Sequence, residues 1–224
     1  MIGALVAYGV YAVFPPDYRA KSVVVIDHNL EQAWNVSSGE ASYFLTRETR
    51  KLLELAWSDE TLGLVADRVG EVSVQELRDE ILQLSQPEDG GWYFYANSPS
   101  ASQAEKIAAT WAVVFYQQTY EAVEVSAEVE QMRREINEVL ERYPGLTVRD
   151  ISKLIDRDFP TLYSGKGISH FIELDLAQTE NLTVDRSVAL SVYLLSGSVI
   201  GASGLALAAL IFLRAKEKDA QQAE

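Results

Sequence analysis

The longest uninterrupted apolar run lies near the end, where Val188 to Leu213 passes through Leu, Val, Ile, Ala, Gly, Ser and Tyr without a charged side chain. At about 1.5 Å per helical residue it exceeds the roughly 30 Å hydrocarbon core of a bilayer, which predicts a membrane-spanning helix over 188–213. Arg214, Lys216 and Lys218 follow at once, so the positive-inside rule puts the tail, 214–224, in the cytoplasm and the bulk of the chain across the membrane. That tail is too short to fold. Met1 to Phe14 is also apolar, but it is shorter than the roughly 20 residues of a span, and Pro15 and Pro16 end it. No Lys or Arg precedes this run, and Ala12-Val13-Phe14 before Pro15 makes a poor cleavage site. It therefore reads as a first membrane helix, 1–14, with its upstream end missing, rather than a cleaved signal.

Between the two runs the pattern changes repeatedly. Val23 to Ile26 is β-branched throughout and predicts a strand covered on both faces. Asn29 to Gly39 looks irregular. Leu45, Leu52, Leu53 and Ala56 recur at helical spacing and predict a helix over 42–56. Ser58 with Asp59 and Glu60 has the composition of a helix start, Leu62, Val65, Ala66 and Val69 make its apolar stripe, and Gly70 ends it. Ser73 and Glu76 form a capping box ahead of a short helix through Leu77, Ile81 and Leu84, closed by Pro87 and Gly90-Gly91. Trp92 to Ala96 predicts the next strand.

The most regular stretch starts near Ser100. Small or apolar residues recur at Ala104, Ala108, Trp111, Phe115, Ala122, Val125, Val129, Met132, Ile136 and Val139, with Gln118 as the one polar member. The steps alternate four and three, a heptad seam rather than a 3.6-residue stripe. A helix from Ser100 to Arg142 is roughly 60 Å long. Its outer half carries Glu121, Glu124, Glu128, Glu130, Glu135, Glu138 and Glu141, which predicts that it projects and packs on another helix. Tyr143-Pro144-Gly145 breaks it, and Thr147 and Asp150 cap a return helix with Ile151, Leu154 and Ile155 that Phe159-Pro160 ends. Ile168, His170, Ile172, Leu174 and Leu176 then alternate with Ser169, Phe171, Glu173 and Asp175, predicting a last strand. First and last strands both abut the membrane in opposite senses, so pairing them would close the domain at its base.

Charge narrows the possible partners. The net charge of −14 lies entirely between the apolar runs, because Arg214, Lys216 and Lys218 cancel Glu217, Asp219 and Glu224. So acidic a domain repels nucleic acid and anionic headgroups. With no cysteine there are no disulfides, thiolate metal sites or cysteine nucleophiles. Asp27-His28 and His170 lack metal or catalytic spacing and read as satisfied structural histidines. The glutamates of the long helix read as a solvated face. No Gly-x-Ser-x-Gly elbow or phosphate-cradling glycine loop is present, so neither catalytic residues nor a cofactor or metal is expected. Asn35-Val36-Ser37 and Asn181-Leu182-Thr183 match sequons of a kind common by chance. Gly197 and Gly201 form Gly-x-x-x-Gly, with Gly204 nearby. Such small residues let membrane helices approach closely, whether the partner is the first helix, a neighbouring subunit or a polytopic protein.

Phe14-Pro15-Pro16-Asp17-Tyr18-Arg19-Ala20-Lys21-Ser22, leaving a membrane helix for a valine-rich strand, resembles the opening of bacterial polysaccharide co-polymerases of the chain-length determinant (Wzz) type; Pro15, Pro16, Tyr18 and Ala20 carry the likeness. Ser73-Val74-Gln75-Glu76-Leu77-Arg78 and Asn97-Ser98-Pro99-Ser100-Ala101-Ser102-Gln103-Ala104 follow in matching order, and a membrane helix closes the chain. The resemblance implies a non-enzymatic, ring-like homo-oligomer in the bacterial inner membrane that sets the length of a surface polysaccharide made by a partner polymerase or exporter. The expected fold is α+β, with two transmembrane helices flanking an extracytoplasmic α/β base domain from which a long coiled-coil-like helix protrudes. Its parts are the first span 1–14, the base 15–99, the long and return helices 100–165, the final strand and connector 166–187, the second span 188–213 and the tail 214–224. A two-helix sensor binding a small ligand, and an accessory subunit of another membrane complex, are the alternatives.

Overall fold

A computed structural model of the 224-residue chain describes residues 2–28, 38–70, 72–85, 90–142, 168 and 172–221. The elements are α1 (Ile2–Val13), β1 (Tyr18–His28), α2 (Ser38–Ala56), α3 (Asp59–Val69), α4 (Val74–Glu76) running into a π turn (Leu77–Ile81), β2 (Leu82–Ser85), β3 (Gly91–Ser98), α5 (Ala101–Arg142), β4 (Ile172–Gln178), β5 (Val184–Arg186) and α6 (Leu190–Gln221). The fold is α+β. Its sheet is antiparallel, in the order β2-β3-β1-β4, with β5 also paired to β1.

β1 is the central strand and is longer than its valine run. Ala20, Ser22, Val24 and Ile26 are buried under α5, while their neighbours on the other face stay half-buried. Among the described residues, the strand expected to be covered on both faces is covered by a helix on a single face, as antiparallel pairing allows. Ser22 tolerates burial because its hydroxyl donates to the Gln178 carbonyl at 2.6 Å. First and last strands do pair: Tyr18 to Ala20 meet β5 and Val23 to His28 meet β4. Between Val23 and Val25 the register shifts, and an extra β4 residue makes a bulge. β4 begins at Ile172 rather than Ile168. Ile168 is buried outside the strand, and His170 lies outside the described residues.

The helical layer follows its caps. Ser58 accepts from the Thr61 amide, and Gly70, at φ +72°, closes α3 with its N–H on the Ala66 carbonyl. The Ser73–Glu76 capping box forms, and its bonds hold the Glu76 carboxyl below the usual glutamate range. The helix that box starts does not reach Leu84. Leu82 and Leu84 instead alternate along β2, opposite Ala96 and Phe94, because ladder hydrogen bonds to β3 outweigh the helical spacing of Leu77, Ile81 and Leu84. α2 begins at Ser38, so Ser38 and Gly39 leave the expected irregular segment.

α6 corrects a further expectation. It runs past Leu213 to Gln221, so the segment expected not to fold is largely helical, consistent with the strong helix formers Ala, Lys and Glu that fill it. Among the described residues one helix is long and apolar enough to cross a membrane, over Leu190–Leu207, and none of that stretch is buried. α1 is apolar but has 12 residues. The predicted break at Tyr143-Pro144-Gly145 and the return helix lie outside the described residues.

Candidate functional site

Two regions gather the residues singled out in the sequence: the junction where the sheet meets α1 and α6, and the seam of α5. At the junction, Pro15 and Pro16 end α1 and the chain enters β1 at Tyr18. Arg186, the last residue of β5, reaches back across it. Its Nη1 donates to the Pro16 carbonyl at 2.7 Å and its Nη2 to the Tyr18 hydroxyl at 2.9 Å, with the guanidinium 3.7 Å from the Tyr18 ring centroid. The Ser187 N–H donates to the Asp17 carbonyl at 2.8 Å. Ala20 is fully buried on β1, paired with Ala96 on one side and Val184 on the other. Both chain entries into the apolar helices are thus tied together. Arg186 is the residue that sequence reasoning missed; only the pairing of β5 with β1 brings it to Tyr18.

From this junction α1 and α6 run side by side. Gly197 and Gly201 of α6 face Gly3 of α1 so closely that a Cβ built on Gly197 lies 2.6 Å from the Gly3 carbonyl oxygen, and one on Gly201 lies 2.9 Å from the Gly3 Cα. Ala7 also abuts Gly197, and Tyr11 meets Tyr193 edge-on at 5.2 Å. Of the partners considered for the Gly-x-x-x-Gly pair, this contact is with the chain's own first helix. Gly204 does not join it: a Cβ there meets nothing within 4 Å, and the residue opens onto an apolar groove of about 670 Å³ along the helix pair.

The seam divides. Trp111, Phe115, Gln118 and Ala122 are buried within the domain. Trp111 packs edge-on against Trp57 at 5.0 Å and Phe94 at 4.8 Å, and its Nε1–H donates to the Ala56 carbonyl at 3.0 Å. Phe115 stacks on Trp92 at 5.6 Å. The Gln118 side-chain oxygen lies against the Thr61 hydroxyl of α3, which explains a polar residue at that position. These inner members therefore form the chain's own core. Farther out, the Ser126 hydroxyl donates to the Ile168 carbonyl, tying the helix to the approach to β4. Ala127 to Arg142 then carry α5 on by roughly 24 Å. Val125, Val129 and Met132 are half-buried, and the side chains of Ile136 and Val139 lie outside the described set.

No described cluster of three or more His, Asp or Glu side chains is arranged to hold a metal. Glu48, fully buried on α2, is paired with Lys51 at 2.9 Å and Arg47 at 3.2 Å, an internal ion group that periodicity did not reveal. Among the described residues the buried His28 Nδ1 has no hydrogen-bond partner, and burial lowers the imidazole pKa against the pull of Glu48 and Asp27. No family model matches the chain, and no curated protein matches it significantly. The arrangement is a sheet clamped to two apolar helices at one end, with a long helix leaving it.

Proposed function

We propose that the chain is a non-enzymatic, oligomeric membrane scaffold that regulates the chain length or assembly of a surface polysaccharide together with a membrane polymerase or exporter. In this reading α1 and α6 are two spans in the bacterial inner membrane, the sheet domain lies outside the cytoplasm, and the helical tail lies inside. The observation that carries it is the shared end of the sheet. β1 and β5 join α1 and α6 there through Arg186, Tyr18 and Asp17, and β3 delivers its Ser98 opposite Tyr18, so that α5 starts at the same end. A 42-residue helix leaving that end reaches roughly 60 Å, far past an 11-residue strand. The half-buried Val125, Val129 and Met132 supply an apolar stripe suited to a neighbouring copy with a coiled-coil-like fit.

Deleting the gene and resolving the surface polysaccharide on a gel tests the role. An altered length distribution, restored by the intact gene, is expected; an unchanged distribution refutes it. Light scattering of the detergent-solubilised chain tests assembly, and a monomer at all concentrations would count against the scaffold.

A further inference from the structure

The face of the sheet away from α5 carries chemistry unlike the rest of this acidic chain. Register places Arg19 opposite Asn97, Lys21 opposite Tyr95 and Gln83 opposite Tyr95 on that face, and no described helix packs there. The Arg19 Nε donates to the Asn97 side-chain oxygen at 2.9 Å, and its guanidinium lies 5.7 Å from the Tyr95 ring centroid. The Lys21 ammonium lies 4.8 Å from the Tyr93 centroid, and the two tyrosine rings meet edge-on at 6.3 Å. Neither cation forms an ion pair with a described carboxylate, although the chain has 33 acidic residues against 19 Lys and Arg. The cationic part is small. Asp185 stands opposite Arg19 on β5, and Asp27, Glu173 and Asp175 occupy the far end of the same face, so the two cations, both leaning toward β3, share the face with four carboxylates.

We propose that this patch binds a carboxylate-bearing sugar unit of an acidic polysaccharide. The inference rests on the polysaccharide role above and names the glycan surface within it. Two cations spaced by roughly 7 Å along a strand, preoriented over aromatic rings, match one or two carboxylates on an extended polymer. Tyrosine rings offer a flat surface to the C–H face of a sugar, and the Asn97 and Gln83 amides offer partners for its hydroxyls. The Tyr93 and Tyr95 rings beside the cations favour a sugar, which has a C–H face to lay on them, over a bare lipid phosphate.

Isothermal calorimetry on the full chain in neutral detergent, with oligogalacturonate, maltoheptaose and poly-glutamate as probes, tests the patch. Oligogalacturonate binds and maltoheptaose does not. Arg19→Gln with Lys21→Gln weakens oligogalacturonate at least tenfold, while the Arg19→Gln side chain keeps an amide for Asn97. Tyr93→Leu with Tyr95→Leu weakens oligogalacturonate at least fivefold and leaves poly-glutamate unchanged; circular dichroism reports whether this pair folds, and if it does not the cation pair alone decides. No binding by the parent chain, or binding untouched by the cation pair, overturns the proposal. So does loss of binding in nanodiscs of anionic lipid when zwitterionic nanodiscs retain it, which assigns the patch to headgroups. If deletion of the gene alters polysaccharide length but these titrations fail, the patch falls and the scaffold stands; binding with an unaltered length distribution refutes the scaffold alone.

Discussion

The contact between α1 and α6 makes a graded prediction, because the three glycines of α6 differ in the room around them. Alanine at Gly197 puts a methyl 2.6 Å from the Gly3 carbonyl oxygen and against Ala7; alanine at Gly201 puts one 2.9 Å from the Gly3 Cα; alanine at Gly204 meets nothing within 4 Å. Ordinary contacts lie near 3.5–4 Å, so either of the first two substitutions forces the helices apart by about 1 Å, which forfeits roughly a quarter to a half of each 0.1–0.2 kcal/mol atom-pair contact. Over a few tens of pairs that is about 1–2 kcal/mol of helix association. The chain has no native cysteine, so spin labels on Leu5→Cys and Val199→Cys, both exposed, report the separation directly. Gly197→Ala and Gly201→Ala lengthen or broaden the measured distance in liposomes, whereas Gly204→Ala matches the parent. Three indistinguishable distributions would refute the glycine contact. An effect from Gly204→Ala alone would place the true helix interface on the groove side.

Trp111→Phe keeps a ring against Trp57 and Phe94 but leaves the Ala56 carbonyl without its donor, which costs about 1–3 kcal/mol; denaturant midpoints followed by Trp fluorescence check it, and an unshifted midpoint shows that the bond is dispensable. For His28 the direction of the pH effect follows from burial. Its folded pKa lies below the ordinary 6.5, so the unfolded chain binds more protons as acidity rises. The fold keeps its full stability above about pH 6.5 and loses part of it as pH falls through the folded value. Midpoints at several pH values from neutral to mildly acidic should decline less steeply in His28→Gln than in the parent; equal slopes would exonerate His28.

Local signals were legible where a few neighbouring residues decide the outcome. The apolar run at the end, the Pro15-Pro16 stop, the Ser58 and Ser73 caps and the Gly70 terminus depend on short-range sterics and hydrogen bonds, and each stands where the pattern put it. The 42-residue α5 was equally plain, because a seam that long has no other periodic explanation. Misjudged features were those whose energy comes from partners distant in the chain. Leu84 satisfies a helical spacing and a strand alternation alike, and the β3 ladder chose. The valines of β1 look suited to burial on both faces, yet one described helix layer covers one face.

The junction shows the same division. Pro15, Pro16 and Tyr18 could be marked from the sequence, but Arg186 lies 168 residues from Tyr18, and only antiparallel pairing of β5 with β1 stacks the two. Gly197 and Gly201 announced a close helix approach; tertiary structure chose Gly3 and Ala7 as the surface approached and left Gly204 facing a groove. By itself, then, the sequence determined most of the described helices and strands, though not β2 or β5, and where many of them stop, since those preferences are properties of neighbouring residues. Tertiary structure decided which half of the α5 seam becomes core, which face of the sheet the described helices leave uncovered, and which residues tie the ends of α1 and α6 together, because burial and pairing are properties of surfaces that exist only once distant segments have met.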